Sequence, residues 1–94
     1  MPTILIVDDA SDILDLVAIN LERRDYDTLR ASDGIEALKI AMAKRPDLII
    51  LDIMLPGMDG YKAFKRLRQD SRTHGIPVIL LSAKGDQQDK IKGL

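Results

Sequence analysis

Leu48-Ile49-Ile50-Leu51-Asp52 decides the fold, together with an earlier run of the same kind, Ile4-Leu5-Ile6-Val7-Asp8-Asp9. Each is a short, unbroken apolar stretch rich in branched side chains, and each stops abruptly on an acid. A strand without polar alternation is covered on both faces, as in a parallel sheet flanked by helices. A third such run, residues 77–81, ends in Ser82. Residues 26–31 alternate apolar and polar, which predicts a strand open on one side, at a sheet edge.

Helical patterns fill the gaps between these runs. Residues 11–24 predict a helix with Ser11 as N-cap and Asp12 in its first turn. Ile13, Leu14, Leu16, Val17 and Leu21 supply the buried side, and Arg23-Arg24 stand at the carboxyl end where the helix dipole favours cations. Asp33-Gly34 opens a second helix, in which Ile35, Leu38 and Met42 recur at helical spacing, and Pro46 closes it. After a Pro56-Gly57 turn, Asp59 caps a third helix over residues 60–70 with Tyr61, Phe64 and Leu67 as its apolar stripe. A fourth helix is expected from Asp86 onward. The order β-α-β-α-β-α-β with short connections predicts an α/β fold with a parallel sheet, one domain over residues 1–94.

Composition narrows the function classes. Ninety-four residues make one small domain, and with Phe64, Tyr26 and Tyr61 as the only aromatics its core must be aliphatic. A net charge of −1 creates no field that would call for nucleic acid or an anionic membrane. The absence of cysteine excludes disulfides and thiolate metal sites, and no apolar run is long enough for a membrane span. A cytoplasmic protein is therefore expected. His74 reads as an ordinary loop residue, and Lys62, Lys65, Arg66 and Arg68 as a solvated helix face with no role in binding nucleic acid.

The acids carry the chemistry. Of the 15 acidic residues only Glu22 and Glu36 are glutamates, and aspartate favours caps, turns and metal sites. Asp12, Asp33 and Asp59 read as caps and first-turn acids. Asp8, Asp9 and Asp52 do not, because they end two separate buried strands. Right-handed crossovers place helices on both faces of a parallel sheet only if the strand order reverses once. If the second strand is an edge, the third lies on the far side of the first, and the reversal falls between strands one and three. Ligands bind at that crevice, at the carboxyl ends of the strands. Asp8, Asp9 and Asp52 then meet there, with Ser82 one strand further on. Three carboxylates brought together repel one another, and a hard divalent cation such as magnesium relieves the conflict.

These stretches, with Asp33-Gly34, Leu55-Pro56-Gly57-Met58-Asp59-Gly60 and Pro77-Val78-Ile79-Leu80-Leu81-Ser82-Ala83, occur in an order and spacing that resembles the response-regulator receiver family of two-component signalling. The resemblance implies a flavodoxin-like, doubly wound sheet of strand order 2-1-3-4. It implies that Asp52 accepts a phosphoryl group from a sensor histidine kinase. Asp8, Asp9, Asp52 and the Met54 backbone carbonyl would hold Mg2+, Asp8 through a water, and Ser82 would donate to a phosphoryl oxygen. Met54 and Lys84 fall at positions that tune how long the phosphoryl group survives.

Such a chain catalyses at most its own phosphorylation and dephosphorylation and is not a turnover enzyme. The resemblance also implies a C-terminally incomplete domain. The family's fifth strand, its phosphoryl-contacting lysine, its aromatic switch residue and its fifth helix, which packs on the first, have no counterpart. The fourth strand would be left as an apolar edge, so a homo-oligomer through that edge is expected. The alternative is a fragment that folds and self-associates without productive phosphorylation. A haloacid-dehalogenase-like phosphatase would need Asp-x-Asp after its first strand, and a dinucleotide binder Gly-x-Gly-x-x-Gly; neither is present.

Overall fold

The computed structural model describes residues 1–55 and 58–81 and the backbone of Ile91–Lys92. The described elements are β1 (Thr3–Val7), α1 (Ser11–Glu22), β2 (Asp27–Ala31), α2 (Gly34–Lys44), β3 (Leu48–Asp52), α3 (Gly60–Gln69), β4 (Val78–Leu81) and β5 (Ile91–Lys92). They form one sheet of order β2-β1-β3-β4-β5. The pairs β1–β2, β1–β3 and β3–β4 are parallel, as the apolar runs predicted.

Alternation along the strands sorts the core onto two faces. Leu5 and Val7 of β1, Ile49 and Leu51 of β3, and Val78 and Leu80 of β4 point to one side. There they pack with Ala37, Ala41, Ala63 and Leu67 of α2 and α3. Ile4 and Ile6 point to the other side, against Leu14 and Ala18 of α1, with Leu48 and Ile50 partly buried beside them. The unbroken apolar runs are thus two interleaved sets, each facing its own helix layer. Alanine is the main buried residue of α2, which brings that helix close to the sheet.

Several local expectations change. Ala10, not Ser11, is the N-cap of α1 and makes no side-chain cap bond. Its backbone N–H is held instead by Asp8 Oδ1 at 2.9 Å. The buried line of α1 is Leu14 and Ala18, whereas Ile13 is 40% and Leu16 59% exposed, alongside Ile19 at 47%. They lie on a flank of the helix that no described element covers. Ile35 and Tyr61 are likewise exposed, since the small residues beside them make the close contacts in α2 and α3. Arg68, read as solvated, stacks over the Phe64 ring at 4.8 Å and donates to the carbonyls of His74 and Ile76 at 2.8 and 2.7 Å. It fastens the end of α3 to the segment that enters β4.

The helix expected from Asp86 falls largely outside the described residues, but Ile91–Lys92 is extended, and it pairs antiparallel with Leu80 and Leu81. The edge of β4 is therefore not bare at those two positions.

In the α3–β4 connection Arg72 grips Asp70 through side-chain hydrogen bonds of 2.8 and 3.0 Å, and this contact lowers the Asp70 pKa to about 2. A depressed carboxyl stabilises the fold fully above its unfolded value of 3.8, and that contribution is lost as pH falls through about 2. In Arg72→Ala the Asp70 carboxyl should titrate higher, toward 3.8 but still below it because the backbone N–H of residue 72 keeps its 2.8 Å bond to Asp70 Oδ1, read by carboxyl-carbon NMR; an unchanged midpoint would show that the Arg72 side chain is not the cause.

Candidate functional site

Parallel register builds the site. Val7 of β1 lies opposite Leu51 of β3, so the residues that follow each of them, Asp8 and Asp52, emerge side by side at the carboxyl rim of the sheet. Asp9 comes one residue later. Carboxylate oxygens of Asp8, Asp9 and Asp52 all lie within 4.8 Å of one another, which is the convergence expected from the strand order. Asp8 and Asp52 are buried, at 8% and 6% exposure, while Asp9 opens to solvent.

Two unit charges at that separation repel by roughly 3 kcal/mol at an effective dielectric constant of ~20. The local backbone offsets part of this. Asp8 Oδ1 accepts from the Ala10 N–H at 2.9 Å, and Asp52 Oδ1 accepts from the Met54 N–H at 3.1 Å. These bonds also fix which way the two side chains point. The backbone of Asp8 is itself anchored, since its N–H donates to the Ala31 carbonyl at the end of β2 at 3.1 Å. Met54 exposes its side chain beside the cluster. Ser82 and Lys84 lie outside the described residues, so the rim is described as far as Leu81, which pairs with Asp52.

The expected caps are caps. Asp33 Oδ1 accepts from the Glu36 N–H at 2.8 Å at the start of α2, and Asp59 Oδ1 from the Lys62 N–H at 2.9 Å at the start of α3. Neither belongs to the acidic cluster. Among the described residues, Asp8, Asp9 and Asp52 are the group that could hold a metal ion.

Sequence reading treated Gly60 only as the start of a helix, yet it sets where Asp52 sits. A Cβ at Gly60 would lie 2.4 Å from the Asp52 carbonyl oxygen and 2.6 Å from Ile53 Cα. The Gly60 N–H donates to the Ile53 carbonyl at 2.8 Å, closing the loop that leaves β3. A signal was present: glycine just inside a helix, where alanine is the better helix former, marks a close approach of backbone. Because the obstacle is backbone rather than a flexible side chain, Gly60→Ala should destabilise the domain by about 1–3 kcal/mol in urea denaturation. An unchanged midpoint would mean that α3 has room to shift.

Known proteins share this frame. Residues 4–94 match the response regulator receiver domain family. The chain is 54% identical over 93 residues to the DNA-binding dual master transcriptional regulator RpaA of a Synechocystis species, covering 99% of this chain and 39% of that protein. It therefore spans about two fifths of that relative's length. The N-terminal domain of a response regulator receiver protein from Methanoculleus marisnigri superposes with a TM-score of 0.86 at 40% identity, over 96% of this chain and 73% of that one. The receiver domain of the sensor histidine kinase PA1611 from Pseudomonas aeruginosa, solved with magnesium coordinated in its active-site cleft, superposes with a TM-score of 0.85 at 32% identity, over 94% and 72%. With this sheet order, this acidic rim and a family match over nearly its whole length, the chain belongs to the response regulator receiver domains.

Proposed function

We propose that this receiver domain accepts a phosphoryl group on Asp52 from the phosphohistidine of a sensor kinase, with Mg2+ held by Asp8, Asp9, Asp52 and the Met54 carbonyl. The observation that carries this reading is the cluster of three carboxylates within 4.8 Å at one strand rim. Its donors are all hard oxygens, two of the three acids are buried, and at least one faces solvent, which is the donor set magnesium takes when it also keeps water and phosphate ligands. Bound there, the ion neutralises charge on the transferring phosphoryl group.

The rest falls to the chain's own groups. A carboxylate oxygen of Asp52 attacks phosphorus and a P–O bond forms. The P–N bond of the donor breaks, and its electron pair stays on the imidazole nitrogen, which takes up a proton. The Met54 N–H bond to Asp52 Oδ1 orients the carboxylate for this attack. Ser82 would then donate its hydroxyl to a phosphoryl oxygen, a contact that exists only in the modified state and so biases a two-state loop. No helix of the described residues is long and apolar enough to cross a membrane, in keeping with a cytoplasmic place of action.

Incubation with Mg2+ and a small phosphodonor should add one phosphate by intact-mass spectrometry, and Asp52→Asn should abolish it. A folded parent chain that gains no such mass would defeat the assignment.

A second reading, self-association without phosphorylation, is favoured by the exposed Ile13, Leu16 and Ile19 on α1. Apolar surface of this kind is usually covered by association. Sedimentation velocity should show a dimer that dissociates in Leu16→Lys; a monomer at every concentration would remove this reading.

A further inference from the structure

We propose that Gly34 is a positioning residue for the metal site, acting through Met58 and the Gly60–Ile53 hydrogen bond on the neighbouring Met54; this rests on the metal reading above. Gly34 is buried at the start of α2 and contributes no side chain to the acidic cluster. A Cβ placed on it would lie 2.9 Å from the Met58 carbonyl oxygen, 3.1 Å from Met58 Cβ and 3.3 Å from Met58 Cγ. The backbone at Gly34 is not left-handed, so glycine is required by the contact and not by the conformation.

The strain of a side chain there could not be relieved by loosening α2. Asp33 caps the helix through the Glu36 N–H, and Glu36 Oε1 reaches back to accept from the Ser32 N–H at 2.8 Å and the Ser32 hydroxyl at 3.1 Å. This reciprocal clamp resembles a capping box and holds the first turn in place. The same segment, residues 31–36, touches both ligand-bearing loops. Ala31 accepts from the Asp8 N–H on one side, and Gly34 meets Met58 on the other. The displaced group would therefore be Met58. Met58 stands two residues before Gly60, whose N–H donates to the Ile53 carbonyl at 2.8 Å, and the residue after Ile53, Met54, donates its N–H to Asp52 Oδ1 at 3.1 Å. Magnesium demands near-ideal ligand geometry, so a displacement of a few tenths of an ångström at a carbonyl donor is costly to binding.

The test is a double-mutant cycle on Mg2+ affinity, measured by calorimetry with the metal alone, beside the melting temperature of the metal-free protein. Gly34→Ala should weaken Mg2+ binding about tenfold, as loss of a group supporting the ligands does. Met58→Gly in the same chain removes two of the three contacts and should restore part of that loss. Wild-type affinity in Gly34→Ala, or a loss that Met58→Gly does not relieve, overturns the proposal. A lowered melting temperature with unchanged affinity also overturns it, since that is the mark of a merely structural glycine. Should Gly34→Ala fail to fold, the doubly substituted chain is compared with Met58→Gly alone. Severalfold weaker binding, from the remaining carbonyl contact, supports the proposal and equal binding refutes it. If the parent chain itself binds no Mg2+, the metal reading fails first and takes this inference with it.

Discussion

Everything at the rim depends on the parallel pairing of β1 with β3. With Val7 opposite Leu51, the chain has no freedom to keep Asp8 and Asp52 apart, because the residue after each paired position leaves the sheet at the same edge. A slip of one residue would turn each apolar side chain of β3 to the other helix layer and send its terminal acid the wrong way. The register is held by packing on both faces, Leu5, Val7, Ile49 and Leu51 against α2 and α3, and Ile4 and Ile6 against α1. Burial of aliphatic surface thus supplies the free energy that forces like charges into one small space. The proposed metal and phosphoryl chemistry would draw on that enforced proximity.

The features legible in the sequence were those set by periodicity and by chain reversal. Unbroken apolar runs ending in acids gave the parallel strands, the half-alternating residues 26–31 gave the edge, and the single reversal between strands one and three gave the meeting of Asp8, Asp9 and Asp52. Asp33 and Asp59 were recognisable as caps because aspartate before a helix has a definite partner, the N–H three residues on.

What the sequence hid was mostly a matter of closeness. Helical spacing names a set of apolar residues but does not say how near the helix lies to its neighbour. In α1 and α2 the closest positions belong to Ala18, Ala37 and Ala41, while bulkier Leu16 and Ile35 stay exposed. The tight approaches of Gly34 and Gly60 are invisible for the same reason, since a missing side chain leaves no hydrophobic signature. Arg68 looked like one more solvated cation because its acceptors are backbone carbonyls, which carry no sequence label. The antiparallel pairing of Ile91–Lys92 was concealed by a segment whose polar pattern suited a helix.

The two helix layers are unequal, and this has a consequence for how the acids are held. Asp52 ends a strand with parallel neighbours on both sides and with α3 abutting its own carbonyl. Asp8 and Asp9 instead lead into α1, the lone described helix on its side of the sheet, which begins without a side-chain cap. The rim is therefore braced in two ways, Asp52 by the helix that abuts its backbone and Asp8 by its hydrogen bonds with the Ala10 N–H and the Ala31 carbonyl, which leaves solvent-facing Asp9 as the acid most open to water.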